Sequence, residues 1–265
     1  MKTKIIQYIT IVLIAATALY SCNDLDLAPT NRFTDANYWT STEKAAAVLN
    51  MAYNQMFSAN YFFANERLTD NLYEGRGSTS EKIITSGQAD ATLGRFADEW
   101  SNCYQGIKTT HIFMDNVDLV PDMDSEVRDR MIAEARFIRA SLFFRLTSHY
   151  GDVPLFDYSI SREEANSIER SPKSEVIEFI RNELTSIVSD LPQKDGYSDK
   201  DKGRITQGAA MMLLARTYLY ENDWSNVASI TQRIMSGEFG QYELFNSYEG
   251  LFLPENEQND EVILD

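Results

Sequence analysis

Apolar residues recur at steps of three and four along most of this 265-residue chain, which is the spacing of an α-helix with one buried face. The strongest pattern lies in residues 124–149, and we expect this helix to lie in the core. Its apolar stripe consists of Val127, Met131, Ala135, Ile138, Leu142 and Leu146. The other predicted helices are residues 41–57, 95–118, 171–191, 206–221 and 224–235.

Local signals support the ends and faces of these helices. Pro172 suits a first helical turn, and Gly151 suits the C-terminal cap of the long helix. Arg130 and Glu134 are four residues apart and can pair on a flank of that helix. In the first helix, residues at helical spacing are Val48, Met51, Ala52, Gln55 and Met56. In the second, one stripe at steps of three and four consists of Phe96, Trp100, Tyr104, Ile107, His111 and Met114.

Residues 58–94 interrupt the helical pattern. This stretch is rich in Ser, Thr and Asn and contains Gly75, Gly77, Gly87 and Gly94. It predicts a long loop region with one short helix near Glu66–Leu72. Because loops of this length are uncommon inside a compact domain unless they are functional, the stretch is a candidate binding region.

Residues 206–221 and 224–235 form a closely spaced helix pair with small residues in its first helix. Ala209, Ala210 and Ala215 allow a neighbouring helix to approach, while Tyr218 and Trp224 supply bulk. The pair resembles one tetratricopeptide-type unit, although no strict repeat runs along the chain. The predicted fold is therefore all-α, with irregular tetratricopeptide-like helix pairs and long loops.

The N-terminus reads as a targeting segment. Lys2 and Lys4 precede residues 5–20, IIQYITIVLIAATALY, which are almost all apolar. A basic start followed by a short apolar run is typical of a secretory signal peptide, and a membrane span needs about 20 predominantly apolar residues. We predict a signal peptide over residues 1–21.

The sequence L-Y-S-C at residues 19–22 resembles a bacterial lipobox. This resemblance implies that Cys22 becomes the mature N-terminus and carries acyl chains that anchor the protein on a membrane. Asp24 and Asp26 resemble the surface-export signal of Bacteroidetes lipoproteins, and the alternative is that they belong to a solvated tether. A plain signal peptide, with Cys22 incidental, is the alternative to lipidation.

Charge and cysteine content exclude several classes of function. The formal net charge is −16, which argues against nucleic acid as a partner because that binding depends on Lys and Arg. The second cysteine, Cys103, lies in a helical pattern and is expected to be a buried, inert thiol. His111 and His149 are the two histidines, so we expect no zinc site and no cofactor.

Three stretches together are similar to the N-terminal half of the SusD/RagB family of Bacteroidetes. They are LDLAPTNRFTDANYW at 25–39, AEARFIRASLFFRLTSHYGDVPL at 133–155 and GRITQGAAMMLLARTYLYENDW at 203–224. The resemblance implies a surface-exposed, lipid-anchored outer-membrane protein with a mostly helical fold. It also implies capture of nutrient oligomers, glycan more than peptide, and delivery to a SusC-like TonB-dependent transporter.

The resemblance also implies how the chain is divided. Residues 22–236 are expected to form the SusD-like helical domain. Residues 237–265 are expected to begin the family's C-terminal region, which is incomplete here because a full member would be roughly twice this length. On this interpretation the C-terminal part of the fold is truncated.

Sugar capture needs flat aromatic rings for the apolar face of a pyranose and short polar groups for its hydroxyls. Residues 58–94 offer both, and the predicted ligand-binding residues are Asn65, Asp70, Asn71, Tyr73 and Arg76. The alternative is that Asp70 and Asn71 cap local turns. Phe62 and Phe63 are expected to pack beneath the loop, because Phe is commonly buried.

An enzyme and a helical scaffold are the two alternative classes of function. An enzyme is not expected: Asp70, Glu74, Asp98 and Glu99 supply acids, but they form no diagnostic motif, and the known nucleophile, metal and nucleotide motifs do not occur. A helical scaffold for envelope protein assembly stays open, because helix pairs present surfaces for protein partners. Arg136, Arg139 and Arg216 are expected to form interhelical ion pairs, and Asp152 is expected to stabilise the turn after the long helix.

Overall fold

The computed structural model describes residues 38–75 and 77–264, and these residues form α-helices joined by short 3-10 turns and loops. The described part contains no β-strand beyond one isolated bridge between Val153 and Ser171, so the all-α prediction is confirmed. The helices are α1 Thr42–Met56, α2 Ala59–Glu66, α3 Ser80–Thr85, α4 Gly94–Asn116, α5 Ser125–Tyr150, α6 Arg162–Ser167, α7 Lys173–Ile187, α8 Gln207–Tyr220 and α9 Trp224–Met235.

Most helices begin at a side chain that accepts a hydrogen bond from a backbone amide of the first turn. Ser161 and Glu164 form a full capping box at the start of α6. Helix α5 ends at Gly151, as predicted, in a conformation with φ of +72° that favours glycine. The other side-chain caps are Ser41, Ser58, Thr79, Asp124, Thr206 and Asp223.

Helix α5 lies at the centre and packs against α1, α4 and α7. The single apolar stripe predicted for α5 is too narrow, because phenylalanines and alanines outside that stripe are also buried, around most of the helix. Three neighbours cover three sides of α5, so burial does not follow one face. Gly106 of α4 permits the closest approach: a Cβ there would lie 2.5 Å from Leu142 Cδ1 of α5 and 3.3 Å from Gln55 Cβ of α1.

Two acids connect α5 to α7. The carboxylate of Glu183 on α7 accepts from Arg136 at 2.7 Å and from Arg139 at 2.5 Å, which confirms the interhelical pairs predicted for these two arginines. Burial of the Glu183 charge is tolerated because both guanidinium groups donate to it. The exposed Asp152 accepts from the Lys173 backbone amide at 2.8 Å, so it joins the turn after α5 to the start of α7.

Other sequence predictions need correction. The predicted loop at 58–94 contains two helices, α2 and α3. A short helix was expected near Glu66–Leu72, but α2 ends at Glu66. Helix α2 begins earlier in the chain because the Ser58 side chain accepts a hydrogen bond from the Tyr61 backbone amide and caps it there. Helix α1 buries Ala45, Leu49, Ala52 and Met56, whereas Met51 is half exposed.

Cys103 is a buried free thiol, as predicted, and burial raises its pKa to about 12. Trp39 is buried and packs edge-on against Phe113, with 6.3 Å between ring centroids. Among the described residues no helix is both long and apolar enough to span a membrane. The predicted signal peptide, Cys22, Asp24 and Asp26 lie outside the described residues.

Candidate functional site

The candidate site is the segment 58–95, which comprises α2, the connection to α3, α3 itself and the first turn of α4. We call it the loop surface. Arg95 joins its parts: Nη2 donates to Asn65 Oδ1 at 2.8 Å, and Nη1 donates to the Ala64 carbonyl at 3.4 Å. The same guanidinium forms an ion pair with Glu81 of α3. One side chain of α4 therefore contacts both short helices.

The electrostatics of this contact favour the charged pair. Burial raises the pKa of Glu81. A hydrogen bond from its own backbone amide and the Arg95 guanidinium together lower this pKa by more than burial raises it, so the net shift is downward. Glu81 and Arg95 are both mostly buried, with 12% and 17% of their side chains exposed. The Glu81 carboxylate is consequently ionised at neutral pH and stays available to Arg95.

The predicted ligand-binding residues take different places on the loop surface. Asn65 is half-buried: its Oδ1 accepts from Arg95, and its Nδ2 donates to the Tyr61 carbonyl at 3.0 Å. Asn71 is exposed, and its Nδ2 donates to the Glu66 carboxylate at 3.1 Å. Asp70 is also exposed. Arg76 lies outside the described residues.

Tyr73 is the most exposed aromatic residue of the loop surface, with 83% of its area accessible. Lys82 Nζ lies 5.4 Å from the centroid of its ring, which is within the range of a cation–π contact. Lys82 also donates to the Gly77 carbonyl at 2.9 Å. No hydrogen bond joins any two of the predicted ligand-binding residues within the described part of the chain, so the structure presents them as separate groups.

An exposed aromatic ridge, formed by Phe57, Phe62 and Phe63, lies at the junction of α1 and α2. Ring centroids are 6.2 Å apart for Phe57 and Phe62 and 5.4 Å apart for Phe62 and Phe63. About half of each side chain is exposed, so the expectation that Phe62 and Phe63 pack beneath the loop is wrong. The short helix α2 instead turns Tyr61 toward α5, where the Arg145 guanidinium lies 3.7 Å from its ring centroid.

A groove of about 690 Å³ lies beside the ridge, between the end of α1, α5, α8 and residues 261–264. Phe137, Phe144 and Leu213 contribute apolar lining, and Arg145 and Arg216 contribute charge. The prediction that Arg216 forms an interhelical pair is wrong: it is exposed and makes no ion pair with any described residue.

Two glutamates of this region are engaged in ion pairs. Glu74 pairs with Arg67 at 3.2 Å, and Glu99 pairs with Arg145 at 3.6 Å. Across residues 38–75 and 77–264, no group of three or more His, Cys, Asp or Glu side chains is placed to hold a metal ion. The chemistry that the loop surface offers is thus stacking on exposed rings and hydrogen bonding to amides, both of which suit ligand binding.

Fold and surface together define a helical protein with an exposed aromatic loop region supported by a packed bundle. Residues 24–219 match the sequence profile of a SusD-like family. The description of that family is starch-binding and associating with the outer membrane. The chain belongs to this family, as the sequence motifs indicated.

Curated and solved relatives agree. A SusD-like protein of Bacteroides ovatus is 26% identical over 282 residues, covering 100% of this chain and 49% of that protein. A SusD-like carbohydrate-binding protein of Bacteroides fragilis superimposes with a TM-score of 0.75 at 28% identity, covering 84% of this chain and 45% of the other. A laminarin-binding SusD-like protein gives the same TM-score and identity, with coverage of 85% and 51%. The chain spans between 36% and 51% of the lengths of its curated relatives.

Proposed function

We propose that this protein captures oligosaccharides at the cell surface and delivers them to a TonB-dependent outer-membrane transporter. The observation that carries the proposal is the similarity to a laminarin-binding protein, at 28% identity and a TM-score of 0.75. Glycan is favoured over peptide because the loop surface combines exposed rings with side-chain amides, which match the apolar faces and hydroxyls of a sugar.

In this proposal Tyr73 stacks on a sugar ring, while Asp70, Asn71 and Arg76 bind hydroxyls. Tyr73 suits this role because most of its ring is exposed, and Lys82 lies beside it. Asn65 completes the predicted set, but both ends of its side-chain amide already bind protein groups. Its contribution is therefore to support the surface.

We further propose that Cys22 carries the acyl chains that hold the domain at the outer membrane, exposed to the medium. The family description places related proteins in association with that membrane. Each buried CH₂ of an acyl chain contributes about 0.8 kcal/mol, so two or three chains give stable anchoring. A tethered receptor of this kind stays close to a transporter in the same membrane.

The test is calorimetric binding of an oligosaccharide panel that includes laminarihexaose and maltohexaose. Tyr73→Ala is expected to raise the Kd of the bound glycan roughly fivefold, because an aromatic contact is worth about 1 kcal/mol. Tyr248→Ala is the matched control, since Tyr248 is 82% exposed but lies outside the loop surface. Absence of binding across the panel would contradict the proposal. Equal losses in both variants would remove Tyr73 from the site.

A scaffold for envelope protein assembly is the second candidate. Helices α8 and α9 pack as the predicted pair, and Trp224 and Met235 of α9 are exposed, which suits a protein partner. Co-purification from membranes separates the two functions. Nutrient capture requires a TonB-dependent transporter in the eluate, whereas a scaffold requires assembly proteins and no transporter.

A further inference from the structure

We propose that Arg95 is a positioning residue, which locks α2 to α3 and so forms the loop surface before a ligand arrives. The proposal has two parts. The first, that Arg95 holds the two helices, concerns this chain alone. The second, that ligand affinity depends on this lock, rests on the proposed function.

The geometry of Arg95 suits this role. Its guanidinium lies in the first turn of α4 and reaches residues 14 and 30 positions earlier in the chain, Glu81 and Asn65. The Ala64 carbonyl of α2 is a further acceptor. A guanidinium has five N–H donors in a rigid plane, so it can bind two elements simultaneously and fix the angle between them.

Helices α2 and α3 depend on such a contact because their packing is weak. They have eight and six residues, and neither contains a fully buried residue. Isolated helices of this length are marginal in water, and apolar burial does not compensate here. Tyr61 beneath Arg145 attaches α2 to α5. For α3, the ion pair between Glu81 and Arg95 is a contact with the bundle.

The same geometry assigns a role to Asn65. Its Oδ1 accepts from Arg95, and its Nδ2 donates to the Tyr61 carbonyl, so the amide is already used within the protein. Asn65 consequently acts on ligand affinity through Arg95 and not by touching the ligand. Its effect and that of Arg95 should therefore not be independent.

Backbone amide exchange tests the first part. In Arg95→Gln, amides of residues 59–66 and 80–85 are expected to exchange about tenfold faster, because these helices open locally once the lock is lost. Arg95→Lys keeps the ion pair but loses the planar fork, so we expect intermediate exchange. Arg233→Gln is the control. It removes an exposed ion pair between Arg233 of α9 and Glu238, and amide exchange in residues 59–66 and 80–85 should not change.

Two outcomes overturn this part. Unchanged exchange in α2 and α3 of Arg95→Gln shows that other contacts hold these helices. Faster exchange throughout α5 as well shows that Arg95 merely stabilises the whole bundle. A local increase with the melting temperature of the bundle retained is the supporting result.

The second part is tested by calorimetry with whichever of laminarihexaose or maltohexaose the unmodified protein binds. Arg95→Gln is expected to raise Kd about tenfold, Arg95→Lys less, and Asn65→Ala added to Arg95→Gln should produce no further loss. Additive losses overturn the role given to Asn65. Unchanged affinity in Arg95→Gln overturns the dependence of binding on the lock. Binding of neither glycan counts against the proposed function, while amide exchange still decides the first part.

Discussion

The carboxylate of Glu134 has no exposed surface, and several side chains surround it. Tyr53 and Arg204 donate to it at 2.7 and 2.9 Å, and Arg130 forms an ion pair with it at 3.2 Å. These partners come from α1, from the connection before α8 and from α5 itself, so a single acid joins three parts of the chain. A buried charge is tolerated when it has partners of this kind, and loss of Arg204 would remove both a hydrogen bond and a compensating charge.

His111 is a buried histidine, and its surroundings change its pKa. Burial and, secondarily, the Arg139 guanidinium lower its pKa to about 4, against the opposing effect of Asp115, Asp157 and Glu183. Its Nε2 has no hydrogen-bond partner among the described residues. The folded protein therefore keeps this imidazole neutral at a pH where an unfolded chain, with a pKa of about 6.5, takes up the proton.

This difference predicts a loss of stability in acid. Below pH 6.5 the unfolded state binds the proton first, so the contribution of His111 falls by about 2–3 kcal/mol as the pH drops to 4. His111→Gln does not titrate there and should lose less stability than the unmodified protein over that range. Urea unfolding at pH 7.5, 6, 5 and 4 measures the difference. A constant gap between the two proteins over all four values would contradict the prediction.

At the residue scale, local spacing predicted pairs but not their burial. The contact between Arg130 and Glu134 follows from their separation of four along one helix. The burial of Glu134 does not follow from local spacing, because its partners Tyr53 and Arg204 lie 81 and 70 positions away in the sequence. The role of Arg95 was likewise invisible, since Asn65 is 30 residues away and no local pattern connects the two.

Helix packing depends on one glycine at the contact of α1, α4 and α5. Gly106→Ala would place a methyl group 2.5 Å from Leu142 Cδ1, and Leu142 is fully buried. Overpacking of this kind costs about 1–3 kcal/mol, partly offset by the better helix propensity of alanine. We expect a net loss of about 1–2 kcal/mol in the free energy of unfolding.

Gly94→Ala is the matched control, because Gly94 begins the same helix and a Cβ there would meet nothing within 4 Å. It should be neutral or slightly stabilising. Adding Leu142→Val to Gly106→Ala makes room for the methyl group and should recover part of the loss. Equal stability of the two alanine variants would show that α4 and α5 separate without cost.

At the element scale, the long helices were predictable and the short ones were not. Helices α4, α5 and α7 have enough turns for a period to emerge, and the predicted ranges lie within a few residues of the observed ones. Helices α2 and α3 have eight and six residues, which is about two turns each, and neither buries a residue fully. They are too short for a helical period to emerge in the sequence. Their caps, Ser58 and Thr79, were the signals that could have located them.

At the scale of the whole molecule, the described bundle exposes apolar side chains near residue 250. Leu244, Tyr248 and Phe252 are largely exposed, and Tyr248 and Phe252 pack on each other with 5.3 Å between centroids. Exposed apolar side chains of this kind suit packing against protein, not the glycan site proposed on the loop surface. The predicted boundary at residue 237 stays a prediction, since the family match extends over residues 24–219.

Membrane attachment is the property of the whole molecule that the proposed function needs most, and it depends on one thiol. If Cys22 is acylated, Cys22→Ser leaves no site for the acyl chains, and the protein should move from the outer-membrane fraction to the soluble fraction or accumulate unprocessed. Incorporation of a palmitate analogue measures the modification directly. Cys103→Ser is the control and should keep both the label and the location, because the Cys103 thiol is buried in α4.

Protease treatment of intact cells then tests the direction in which the domain faces. A surface-exposed domain should be digested while periplasmic proteins survive, and the exposed segment around Tyr73 is an expected cleavage region. Retention of Cys22→Ser in the membrane fraction would mean that something other than acyl chains holds the protein there. A labelled protein that resists protease on intact cells would instead place it on the periplasmic side, where it could not meet nutrient oligomers before the transporter does.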